Sequence, residues 1–125
     1  MSEPLVDITI PAVPPSLNKW YAGSHWSDRK KAKDQWKLLV KAATRGIDAV
    51  EDYPVLVDVT VAFGPGARRY DADNCVPAAK LVTDALEALG VLAGDSCTYI
   101  SEVRMRHART DDEGYTRYQL WADQK

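Results

Sequence analysis

The chain has 125 residues, 46% hydrophobic and 27% charged, with a net charge of −2. That length fits a single domain, residues 1–125, with a modest core, and the charge excludes a strongly basic protein that coats nucleic acid. No apolar run approaches the roughly 20 residues of a membrane helix and the N-terminus lacks a signal-peptide layout, so no membrane partner is expected and a cytoplasmic location is.

Leu5 to Ile10 alternates apolar and polar residues and reads as a first strand closed by Pro11. Pro14-Pro15-Ser16-Leu17-Asn18 reads as a loop, because proline supplies no ladder donor and restricts the residue before it. Trp20, Tyr21 and Trp26 follow. Such an aromatic stretch either packs under a helix or stacks on unpaired bases. A helix is expected from Asp28 to Arg45, with Ser27 as N-cap and Gly46 as a left-handed stop. Ala32, Trp36, Leu39, Val40 and Ala43 make its apolar stripe. Eight of the sixteen Lys and Arg residues lie between Lys19 and Arg45, opposed there only by Asp28 and Asp34. Lys30, Lys33, Lys37 and Lys41 line another side, which is either a solvated face or a row of phosphate contacts.

After a polar connection, Val55 to Phe63 is the strongest strand, with Val55, Val57, Val59, Val61 and Phe63 on one face. Gly64-Pro65-Gly66 ends it, so the next segment, Arg68-Arg69-Tyr70-Asp71-Ala72-Asp73-Asn74, leaves from an anchored strand end. Carboxylates at i and i+2 of an extended segment point the same way. Asp71 and Asp73 therefore suit a shared divalent cation, with Asp95 as candidate third ligand and Arg68 and Arg69 within reach of a phosphate. The plain alternative is a turn into a helix. That second helix is expected from Val76 to Leu89, with Gly90 past its end and Lys80 and Asp84 paired at i and i+4. Val91 to Ser96 delivers Asp95. Cys97 to His107 reads as a strand, Asp111 to Gly114 as a loop, and Tyr115 to Ala122 as a final strand paired with the preceding one in a hairpin. Cys75 and Cys97 have no metal or disulfide spacing and read as buried thiols; His25 and His107 read as surface or strand-edge residues.

In their order, Pro14-Pro15-Ser16-Leu17-Asn18-x-x-Tyr21, Asp71-x-Asp73-Asn74, Lys80-x-x-x-Asp84-Ala85-Leu86, Gly90-Val91 and Asp95-Ser96 resemble the RusA-type Holliday-junction endodeoxyribonucleases, over roughly residues 5 to 108. The resemblance implies a small α+β fold, a mixed sheet of about four strands with two main helices packed against it. It also implies a homodimer that resolves four-way DNA junctions by paired symmetric nicks, using Mg²⁺ with Mn²⁺ as a substitute. Carried over by motif, the metal-binding carboxylates are Asp71, Asp73 and Asp95, and Lys80 is the catalytic lysine. DNA contacts are expected from Arg68, Arg69, Lys30, Lys33, Lys37 and Asn18.

Two departures from the family pattern stand out. Three additional residues separate Asn74 from Lys80, a spacing associated with phage- or prophage-encoded members, whose cytoplasm is that of a bacterial host. The acidic pair common before Ser is here Gly94-Asp95, so Asp95 carries the metal-binding assignment. Asp84 is expected to be structural or to support the ligands. The alternatives are a catalytically inactive branched-DNA-binding protein of the same fold and a Mg²⁺-dependent nucleotide hydrolase. A dimer face is expected on an apolar strip of the second helix or on the last hairpin.

Overall fold

The structure, a computed structural model, describes residues 3–14, 26–65 and 76–123. Its elements are strand β1 (Val6–Ile10), helix α1 (Trp26–Ala43), strand β2 (Val55–Phe63), helix α2 (Val76–Ala88), strand β3 (Ile100–Arg109) and strand β4 (Tyr115–Ala122). Four strands in one mixed sheet with two helices make the small α+β fold expected from the sequence. No helix among the described residues is long and apolar enough to cross a membrane.

The β-branched run of β2 takes an interior position, bonded to antiparallel β4 on one side and parallel β3 on the other. The sheet order is β1-β4-β2-β3. This corrects the expected terminal hairpin: β3 and β4 are adjacent in sequence but have β2 between them. The physical reason lies in their side chains. β2 and β4 each carry a buried row, whereas β3 bears Glu102, Arg104 and Arg106 and is largely exposed, which suits a sheet edge. The connection from Thr110 to Gly114 must then pass over the end of β2, and it does so backbone against backbone. A Cβ on Gly64 would lie 2.9 Å from the Asp112 carbonyl oxygen, and one on Gly114 would lie 2.6 Å from Val13 and 3.0 Å from the Ala62 oxygen.

Pairing register builds the core in rows across the sheet: Val6, Leu120 and Val57, then Ile8, Tyr118 and Val59, then Ile10, Thr116 and Val61. Trp36 and Val40 of α1 and Ala78, Leu81, Val82, Ala85 and Leu86 of α2 close over these rows. The α2 stripe of Leu81, Val82, Ala85 and Leu86 is thus spent on the core. On the opposite face the charges are paired: Arg117 donates to both carboxylate oxygens of Asp7 at 3.0 and 2.7 Å, and Arg106 donates to Asp58 at 2.7 Å. The Arg117 contact, the largest influence on Asp7, lowers the pKa of that carboxyl group.

Element ends differ from expectation by a few residues. α1 begins at Trp26, so Ser27 lies inside its first turn instead of capping it. α2 ends at Ala88 and is closed by Gly90 at φ +81°, with Gly90 N–H donating to Glu87 and Val91 N–H to Leu86. That pair of bonds is the Schellman arrangement, which satisfies carbonyls the helix leaves open. β3 starts three residues late, because the Ser96 carbonyl accepts from both Tyr99 and Ile100 N–H groups at 2.9 Å and turns the chain there. Cys97 falls in this turn and is exposed, correcting the reading of a buried thiol; Cys75 lies outside the described residues. His107 is exposed on β3, the strand-edge position expected for it, and His25 lies outside the described residues.

Candidate metal and phosphate site

Lys80, Asp84 and Glu87 follow one another along α2 at four- and three-residue spacing, so the helix sets them on one side. Lys80 Nζ lies 3.5 Å from the Asp84 carboxylate, the ion pair expected from the sequence. Both side chains are half-exposed, so solvent screens the pair and its role is orientation more than stability.

The connection after α2 brings Asp95 back to this side. Ligand oxygens of Asp84, Glu87 and Asp95 all lie within 4.8 Å of one another. Three carboxylates at that separation repel one another, and a cation among them would relieve the repulsion. An all-oxygen anionic donor set suits a hard divalent ion such as Mg²⁺.

The turn that carries Asp95 is pinned on several sides. Val50 N–H donates to the Val91 carbonyl at 2.8 Å, and the Tyr53 hydroxyl accepts from Ala93 N–H at 2.9 Å. Tyr53 in turn meets the Tyr99 ring edge-on at 5.2 Å between centroids. Gly94 is buried against that Tyr99 ring, and a Cβ there would fall 2.7 Å from Cδ2 and Cε2. Tyr99 thus occupies the space a side chain at 94 would need. Asp95, one residue on, is exposed.

A small cleft of about 100 Å³ runs between the helices, lined by Lys33, Asp34 and Lys37 of α1 and by Leu81, Asp84, Ala85 and Ala88 of α2. Two lysines of the basic stripe therefore share a cleft with one carboxylate of the acidic cluster. Lys30 lies on the same helix, 3.8 Å from Asp34 in a highly exposed pair.

Of the residues singled out from sequence, the structure gathers Asp95, Lys80, Lys33 and Lys37 around Asp84, with Lys30 further along α1. Asn18, Arg68, Arg69, Asp71 and Asp73 lie outside the described residues. The flanks of the segment that holds Asp71 and Asp73 are described: Gly64 is buried and Pro65 exposed at the end of β2, and Val76 opens α2. Glu87 is not among the residues singled out from sequence, although its position three residues after Asp84 on a helix is a usable signal. Tyr53 and Tyr99 gave no such signal, because their contact with the Asp95 turn is tertiary. No protein-family model matches the chain, and no curated protein matches it.

Proposed function

We propose that this chain is a Mg²⁺-dependent, structure-selective endodeoxyribonuclease of the RusA type, acting as a homodimer in the cytoplasm to resolve four-way DNA junctions by paired nicks. The observation that supports this reading best is the meeting of Asp95 with two further carboxylates beside Lys80, next to a cleft lined by Lys33 and Lys37. A solvated charge run needs no such convergence, whereas hydrolysis of a polyanionic backbone needs anionic ligands and cationic contacts side by side.

In this reading Asp95 holds the metal together with Asp71 and Asp73, assigned by their motif. Asp84 and Glu87 surround Asp95, and Asp84 also holds the Lys80 ammonium at the edge of the site. Bound there, the ion supplies Lewis-acid polarisation of the scissile phosphate and a more acidic water. Lys80 offers a point charge to phosphoryl oxygens as negative charge accumulates on them. Lys30, Lys33 and Lys37 contact the duplex arms through their phosphates and carry no base-sequence information.

The test is cleavage of four-way, Y-shaped and linear duplex DNA in Mg²⁺ or EDTA. Wild type should place paired nicks in the four-way substrate only with the metal. Asp71→Asn and Asp95→Asn should bind the junction without cutting, and Lys80→Met should cut about 10²-fold more slowly. Junction binding by wild type without cleavage would instead favour the inactive DNA-binding protein. Nucleotide turnover without junction binding would favour the small-substrate hydrolase.

A further inference from the structure

We infer that the outer edge of β3, which no strand among the described residues pairs, joins the β3 edge of a second copy of this chain, antiparallel about a two-fold axis through Val103, uniting two four-stranded sheets into one of eight. The inference stands on the edge itself and does not rest on the nuclease reading.

The two edges of the sheet are built differently. The β1 edge is five residues long, with Pro4 just before it and Pro11 just after, features that discourage further pairing. β3 runs for ten residues with no proline, and its one register irregularity lies at its start, opposite Val55 and Leu56. Near its middle sits Val103, 50% exposed, on the helix-covered side of the sheet in the same row as buried Val57. An open, long edge with an apolar residue near its middle is a pairing template.

The backbone is oriented for this. Thr110 N–H donates to the Phe63 carbonyl at 3.0 Å, so by the alternation of a strand the even-numbered residues of β3 from Glu102 onward, past the register irregularity, bond inward to β2. Val103 and Met105 then present their N–H and C=O groups outward, as antiparallel self-pairing requires.

Charge selects the register. With Val103 on the axis, Glu102 of each copy faces Arg104 of the other and Val103 packs on Val103. Placing Arg104 on the axis sets that arginine against itself, and placing Met105 there sets Arg104 against Arg106. Like charges directly opposite in an antiparallel pair destabilise it, and opposite charges favour it. Glu102 and Arg104 already lie together within one chain, with Arg104 Nε 3.0 Å from the Glu102 carboxylate, and both are about half-exposed. Pairing would close these two intrachain contacts into a ring of four alternating charges.

Light scattering on the full chain tests the inference. Wild type should give a mass near twice 13.9 kDa. Glu102→Arg and Arg104→Glu should each lose the dimer mass while keeping the wild-type circular dichroism, with a melting temperature lowered only by the lost association, and the double reversal Glu102→Arg with Arg104→Glu should recover the dimer. In a background with Cys75 and Cys97 changed to serine, Val103→Cys should form an interchain disulfide under mild oxidation. A monomeric wild type, or a dimer indifferent to both single reversals, would overturn the interface. A monomer that still nicks junctions would overturn it and leave the proposed activity standing.

Discussion

Gly94 shows how one absent side chain can decide the placement of its neighbour. A methyl group at this position would sit 2.7 Å from the Tyr99 ring, well inside contact distance, and Tyr99 is itself held against Tyr53. Gly94→Ala should therefore lower stability by about 1–3 kcal/mol, the usual range for forced overpacking. The measurement is urea unfolding, where the midpoint should fall with the slope unchanged; an unchanged midpoint would mean the turn yields freely. The same residue illustrates what sequence conveys about a site. Asp95 is singled out from sequence as a third oxygen ligand beside the Asp71 and Asp73 pair, and the structure brings its carboxylate near those of Asp84 and Glu87. The clearance at Gly94 was not legible there, since it depends on an aromatic ring five residues on whose position is fixed by Tyr53, forty-six residues away.

Among elements, the join between α2 and β4 rests on one buried polar contact within an apolar interface. Thr83 Oγ1 and Tyr118 Oη lie 2.7 Å apart, both residues buried, and burial is the main reason the Tyr118 hydroxyl resists ionisation. Tyr118→Phe leaves the Thr83 hydroxyl without this partner and should cost about 1–3 kcal/mol, whereas Thr83→Val combined with Tyr118→Phe should cost less than the two single changes summed. Denaturant unfolding of the four proteins measures the coupling. Element type was plain in the sequence: Val55 to Phe63 alternates with period two, and Leu81, Val82, Ala85 and Leu86 recur at helical spacing. Partner choice was not. A short loop after Arg109 favours a hairpin locally, but β3 and β4 compete for the same interior strand, and both sides of β2 are filled. No local period encodes the outcome of that competition.

At the scale of the whole molecule, a net charge of −2 conceals a polarised surface, with the lysines of α1 set beside the carboxylates of α2. If Lys30, Lys33 and Lys37 each neutralise a junction phosphate, the logarithm of affinity should fall with the logarithm of salt concentration, and changing all three to glutamine should flatten that slope by about 2.7, near 0.9 for each contact. Equal slopes for wild type and the triple variant, read from junction binding across a salt series, would remove α1 from the interface. The sheet order carries a different consequence, for assembly. β4 lies between β1 and β2, so neither strand can pair with it until the last strand of the fold has left the ribosome, although β2 can already pair with β3. Until then β1 has no sheet to join and one edge of the apolar β2 is open to other chains. Translation that stalls before Tyr115 should therefore yield a nascent polypeptide dependent on chaperone protection, even though the βαβ unit of β2, α2 and β3 has already been made.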